Sequence, residues 1–273
     1  MKKIIFLIML LIIFSSCKNY ESRWYFREGL VFKIISQDKM LGISNYKDIN
    51  NSLLLDSNQK QTIQFIQFDF DSNQVVSDFL LDFPNVRSID FLKCSDLNLS
   101  RNNESVKSIN IHSCQQVIKN LHQLENVGLI HYECSSDNKI NFGNLAEFKK
   151  MKNLKCLELD LRENTILNND IGSLDSLEVL RLNYVSFDEI PKSISKLNHL
   201  IELSINTDYE VTIPKCILKM KSLRELNFKG NPCVVYQFNK KYKNKYPNLK
   251  VLSWQRIPDL DQKYDNLKFG FIE

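Results

Sequence analysis

Between Leu154 and Phe228 the chain repeats one apolar pattern at a fixed interval. Leu154, Leu177, Leu200 and Leu223 recur every 23 residues, and each opens an L-x-x-L-x-L run: Leu154/Leu157/Leu159, Leu177/Leu180/Leu182, Leu200/Leu203/Ile205 and Leu223/Leu226/Phe228. The last two apolar positions of each run alternate with polar ones, which predicts a short strand buried on one face. The rest of the unit keeps the same period, since Phe148, Ile171, Ile194 and Ile217 align, as do Met151, Leu174, Leu197 and Met220. Their spacing is helical, and two units share Ile-Pro at Ile190-Pro191 and Ile213-Pro214. Each unit therefore predicts a strand followed by a helical return.

The triplet extends outward less regularly. It recurs as Ile63/Ile66/Phe68, Val86/Ile89/Phe91, Val106/Ile109/Ile111 and Val127/Ile130/Tyr132, and after the regular units as Leu249/Leu252/Trp254. One such unit cannot bury its apolar edge alone, whereas stacked units share a continuous core. The pattern resembles the leucine-rich repeat family, whose unit is L-x-x-L-x-L-x-x-N/C-x-L, over roughly residues 60 to 255. Cys94, Cys114 and Asn231 occupy the asparagine or cysteine position, while Val185 and Asp208 depart from it. The resemblance implies an α/β fold: a leucine-rich repeat solenoid of about nine units, with a curved parallel sheet on the concave side and helical or irregular segments on the convex side.

At the C-terminal end, Gly230-Asn231-Pro232 closes the last regular strand, and Val234 to Tyr246 predicts a basic, aromatic helix. A final strand begins at Leu249, with Trp254 covering the open core. Leu30 to Ile35 is a strand-like run suited to capping the other end. The expected division is 1–16 signal peptide, 17–60 N-terminus and cap, 61–233 repeats, and 234–273 C-terminal capping unit and tail.

The first sixteen residues belong to export. Lys2 and Lys3 precede an apolar run from Ile4 to Phe14, too short to span a bilayer as a helix. Phe14-Ser15-Ser16-Cys17 then resembles the lipobox of bacterial lipoproteins, with Phe14 where leucine is common. That resemblance implies lipidation of Cys17 and an anchor in the bacterial cell envelope, at the outer membrane or cell surface. The alternative is an ordinary secretory signal cleaved near Ser16.

Composition narrows the chemistry. The formal charge of +4 includes Lys2 and Lys3, so removing residues 1–16 leaves +2, which gives no argument for nucleic acid. Seven glycines lie too far apart for a phosphate-cradling loop. The four histidines form no H-E-x-x-H, there is no G-x-S-x-G, and no cysteines have C-x-x-C spacing. We therefore expect no catalytic residues and no cofactor. Six cysteines follow Cys17. Cys94 and Cys114 sit at the inward motif position with Cys134 one residue short of it, and all three are expected as structural thiols, the alternative being disulfides of an exported protein. Cys156, Cys216 and Cys233 fall on different parts of the unit and suggest no shared metal site.

Outward positions of adjacent units form rows across the sheet. The residue between the last two apolar positions gives Gln67, Asp90, Asn110, His131, Glu158, Arg181, Ser204, Asn227 and Ser253. The residue after the triplet gives Asp69, Leu92, His112, Glu133, Asp160, Asn183, Asn206, Lys229 and Gln255. His112, His131, Glu133, Glu158, Asp160, Arg181 and Asn183 are the candidate binding face. Their carboxylates are expected to face solvent, as is Arg181, while Leu180 is expected in the core. No metal is assigned, because histidines and carboxylates occur on solvated sheets without ligands and no sequence-local spacing reinforces the cluster. The expected function is a membrane-anchored recognition protein whose concave face binds a protein, peptide or glycan; the alternative is a structural envelope component without a discrete ligand.

Overall fold

The computed structural model describes residues 40–43, 55–69, 79–92, 103–112, 120–133, 142–161, 167, 169–184, 190–207, 214–229, 244 and 248–253. Cys17, Leu30 to Ile35, Cys94, Cys114, Cys134, Cys233, Val234 to Lys243 and Trp254 lie outside them.

Among the described residues ten strands form one sheet in chain order: β1 (Met40–Ile43), β2 (Phe65–Phe68), β3 (Ser88–Phe91), β4 (Ser108–His112), β5 (Leu129–Glu133), β6 (Cys156–Asp160), β7 (Val179–Asn183), β8 (Glu202–Asn206), β9 (Glu225–Lys229) and β10 (Lys250–Ser253). Every neighbouring pair is parallel. Parallel neighbours require a crossover after each strand, and here the second half of each unit supplies it. The chain is thus a leucine-rich repeat solenoid.

The apolar positions of the triplets make the core. Ile66, Ile89, Ile109, Ile130, Leu157, Leu180, Leu203 and Leu226 form one fully buried column, and Phe68, Phe91, Ile111, Tyr132, Leu159, Leu182, Ile205 and Phe228 form the next. Within the second column Phe68 stacks on Phe91 with ring centroids 5.5 Å apart. From the return segments Phe148, Ile171, Ile194 and Ile217 pack against these columns, as do Met151, Leu174 and Leu197. Each buried aliphatic side chain contributes on the order of 1.5–3 kcal/mol, so stability accumulates unit by unit.

The form of the return varies from unit to unit, and the 23-residue unit from Leu200 returns through a short α-helix, Lys215–Leu218. The units starting at Leu154 and Leu177 return through short 3-10 turns, Asn169–Ser173 and Lys192–Lys196, where α-helix was equally compatible with the spacing. The unit from Val127 to Leu154 is four residues longer than the 23-residue units and holds the longest helix among the described residues, Phe142–Lys150. Closely stacked 3-10 turns leave little room: a Cβ on Gly172 would stand 2.3 Å from the Ser193 carbonyl oxygen. Glycine is required there by the approach of the next unit.

A polar ladder ahead of five of the strands ties units together. The residue before the first apolar position is Asn85, Ser105, Asn126, Asn153 or Ser176, and each donates to a backbone carbonyl of the preceding unit. Asn126 Nδ2 donates to the Glu104 carbonyl at 2.9 Å, and Asn153 Nδ2 to that of Glu125 at 2.8 Å. These donors satisfy carbonyls that the sheet leaves open. The asparagine position of the family motif lies at the other end of the strand, so this ladder is a separate periodic signal.

The ends depart from the expected register. β1 precedes the first triplet and pairs with β2 along Met40–Ile43, a strand hidden in the sequence because Gly42 interrupts its apolar pattern. At the other end β10 is one residue out of the expected alignment: Leu252 pairs with Asn227 and Ser253 with Phe228, where Leu252 was expected beside Leu226. An edge strand has a neighbour on one side only, and two consecutive apolar residues, Val251-Leu252, make either alignment compatible with the repeat pattern. Among the described residues no helix is long and apolar enough to cross a membrane.

Candidate functional site

Strand alternation sends every second residue away from the core, and pairing from β2 to β9 aligns those residues into rows. Gln67, Asp90, Asn110, His131, Glu158, Arg181, Ser204 and Asn227 are successive partners, as predicted. His112, Glu133, Asp160 and Asn183 are likewise partners on β4 to β7. All seven candidate residues therefore meet on four adjacent strands.

They form a connected polar network. His112 Nδ1 lies 2.9 Å from Glu133 Oε2, and His131 Nε2 lies 3.3 Å from Asp160 Oδ2. The Asn183 amide donates to Glu158 Oε1 at 2.8 Å and to Asp160 Oδ1 at 2.7 Å, which joins β6 to β7. Arg181 Nε reaches Glu202 Oε1 at 3.3 Å on β8, and its Nη1 stands 3.9 Å from Glu158 Oε2. The His112 and His131 rings meet edge to face with centroids 5.5 Å apart. On the N-terminal side Asn110 donates to Asp90.

The expectation that these groups face solvent is corrected by their burial. The side chains of Glu158 and Asp160 are each 17% exposed, Arg181 is 12% and His131 only 6%. Large side chains on strands about 4.8 Å apart cover one another, so a residue can point away from the core and still be largely dry. Low exposure strengthens the electrostatics among them.

Titration behaviour follows from these partners. Burial by itself would depress the His131 pKa, yet its hydrogen bond to Asp160 and the charges of Asp160, Glu158 and Glu133 raise it above the usual histidine value. Burial would raise Asp160, but the hydrogen bond and charge of His131, with Asn183, hold it below the usual carboxylate range. Asp90 shows the opposite balance: burial pushes it up, and the Asn110 hydrogen bond only partly offsets this.

Donor atoms of His131, Glu158 and Asp160 lie within 4.8 Å of one another, a grouping compatible with a divalent ion. The protein's own donors already engage them, Asn183 on both carboxylates and His131 on Asp160.

Sequence reasoning missed two residues here. Glu202 sits just before the second apolar position of its triplet, a third outward row that the alternation also implies. Tyr184 follows Asn183 at the end of β7, where it is 59% exposed with φ 57°. No periodic signal marks it, because its prominence comes from backbone conformation.

Away from this face, Glu147 is mostly buried on the convex side, 3.0 Å from His122 and 2.6 Å from Lys150. Lys149, Lys152 and Lys155 line an open groove of about 410 Å³ with Ser173, Asp175, Ser176 and His199.

Residues 105–265 match the family model of a leucine-rich repeat region. Among solved structures the chain is similar to an internalin from Listeria monocytogenes strain 4b F2365, at 15% identity and a TM-score of 0.43, over 78% of this chain and 57% of that one. The chain thus spans little more than half the length of that internalin. No curated protein matches.

Proposed function

The chain belongs to the leucine-rich repeat family, and from that premise we propose that it is a lipid-anchored recognition protein of the bacterial envelope that binds a protein or peptide partner on its concave sheet. The observation that carries this reading is the outward network itself. Eight consecutive strands align polar side chains into continuous rows, and the central ones are held in place by hydrogen bonds between strands. A pre-organised polar face loses little conformational freedom on binding, which is what recognition surfaces require. No arrangement of nucleophile, base and orienting group is needed for this role, and the reading is non-catalytic.

Anchoring rests on Cys17, which follows a charged start, a short apolar run and two serines. Acyl chains on that cysteine contribute about 0.8 kcal/mol per buried methylene, and several chains together hold a protein on a membrane. Cys17→Ser should abolish incorporation of labelled fatty acid; equal labelling of wild type and variant would remove the lipoprotein claim.

Recognition is tested by steric block. Ser204→Trp puts a bulky ring in the outward row on β8, and Lys196→Trp puts the same ring on the convex side. Crosslinking capture from intact cells should lose its partner with Ser204→Trp and keep it with Lys196→Trp. The reverse result would move binding to the convex surface.

A further inference from the structure

One grouping on the concave face has a geometry that recognition alone does not require. His131 on β5 and Glu158 and Asp160 on β6 bring one imidazole nitrogen and two carboxylate oxygens within 4.8 Å of one another. His131 Nε2 stands 3.3 Å from Asp160 Oδ2. A tetrahedral zinc ion with bonds of about 2.0–2.1 Å holds its ligand atoms about 3.3 Å apart, so this pair has the spacing of two neighbouring ligands. One imidazole with two carboxylates is a donor set for a divalent transition ion, whereas calcium and magnesium prefer oxygen alone.

The contacts within this group suit the orientation of ligands. Asn183 donates to Glu158 Oε1 at 2.8 Å and to Asp160 Oδ1 at 2.7 Å, which fixes one oxygen of each carboxylate and leaves the second, Glu158 Oε2 and Asp160 Oδ2, outside those bonds. Carboxylates that bind metals are themselves held by such outer hydrogen bonds. Arg181 is directed to the next strand: its Nε lies 3.3 Å from Glu202 Oε1, and its Nη1 stays 3.9 Å from Glu158 Oε2. With Arg181 set against Glu202, the charges of Glu158 and Asp160 together match one dication beside a neutral His131.

A second observation lies on β4. Asn110, 3% exposed, is the register partner of His131 in the same outward row. Its Nδ2 donates to Asp90 on β3, and its Oδ1 is buried without a hydrogen-bond partner among the described residues. A buried acceptor with no donor is costly, and a cation held beside it at His131 relieves that cost. We infer that the concave sheet holds a site for a divalent transition-metal ion of the zinc class. His131, Glu158 and Asp160 are its ligands, Asn183 orients both carboxylates, and a fourth position opens to the concave side. The site stands whether or not a partner docks on the same face.

The test uses the purified full chain without a polyhistidine tag, stripped of metal by a chelator, then titrated with Zn²⁺ by calorimetry and with Co²⁺ by visible absorption. Wild type should bind a single equivalent of ion at this site and melt at a higher temperature with Zn²⁺ than without it. The Co²⁺ spectrum should be that of nitrogen and oxygen ligands with no thiolate charge-transfer band, which separates this site from the chain's cysteines. Glu158→Gln with Asp160→Asn keeps side-chain shape while removing both carboxylate charges, and should weaken Zn²⁺ binding at least about a hundredfold. Asn183→Ala should weaken it about tenfold, the effect of losing an outer contact. His122→Gln, in the convex pair whose carboxylate is also held by Lys150, should leave it unchanged. Melting temperatures of the metal-free variants separate a lost site from a lost fold, and Asn183→Ala still reads the site if the double variant does not fold. Failure of wild type to bind either ion, equal Zn²⁺ affinity of wild type and a folded Glu158→Gln/Asp160→Asn variant, or a thiolate spectrum with Co²⁺ would each overturn the inference.

Discussion

The two sides of each strand in this solenoid obey different rules. Toward the interior, Leu157, Leu180, Leu203 and Leu226 are nearly interchangeable: each is apolar, fully buried and packed between copies of itself. Toward the concave side, Glu158, Arg181, Ser204 and Asn227 occupy equivalent positions in the same four strands and share neither charge nor size. The interior column is a repeated solution to one problem, the removal of apolar surface from water, which depends little on the identity of the neighbour. The outward rows depend on their neighbours for everything. Arg181 is placed by Glu202, and Asp160 by His131 and Asn183. A position in the core can therefore be understood from one unit, whereas a position on the face needs three.

The sharpest contrast pairs Leu180 with its neighbour. Leu180→Ala should cost about 2–5 kcal/mol in chemical denaturation, because it removes apolar contacts and leaves a cavity in the stack. A loss near zero would mean that the repeat column does not carry stability.

Arg181→Ala comes next. A guanidinium pointing to open water would be worth well under 1 kcal/mol, as its sequence position suggested. Because Arg181 is only 12% exposed and its removal takes a positive partner from Glu202, itself 5% exposed, we expect a cost of about 1–3 kcal/mol. Ser204→Ala, on the same row, should change stability by less than about 0.5 kcal/mol. If Arg181 and Ser204 behaved alike, the outward row would be a plain solvated surface.

The smallest effect is a pH dependence. His131 has a raised pKa in the folded state, so its contribution to stability is fully present below the unfolded pKa and fades as pH rises through the folded value. Asp160 has a lowered pKa, so its contribution is present above the ordinary carboxylate pKa and is lost as pH falls through the folded value. The pair thus stabilises most in mildly acidic solution. Asp160→Asn should lower the melting temperature more near pH 5.5 than near pH 9, and should move the His131 imidazole titration seen by NMR to lower pH. A His131 titration indifferent to Asp160→Asn would separate the two residues and break the network.

Much of this architecture is legible without coordinates, for a physical reason. An apolar residue every 23 positions can be buried only if the units stack, and stacking dictates parallel strands, a shared interior and rows of outward residues. The alignment of Glu158 with Arg181 and of Asp160 with Asn183 follows from that period alone. Where the period weakens, so does the reading. Gly42 hides β1, and Val251-Leu252 leaves the register of β10 to the edge of the sheet.

By itself, then, the sequence determined the repeat, the buried columns and the identity of the residues that share the concave face, since all of these depend on periodicity along one chain. Only the tertiary structure decided what those residues do to one another. The burial of Arg181 and Asp160, the part played by Glu202 and the exposure of Tyr184 arise from side chains on neighbouring strands and from one backbone angle. Hydrogen bonding and desolvation act over a few ångströms between residues about 20 or more positions apart in the chain, and no local pattern encodes them.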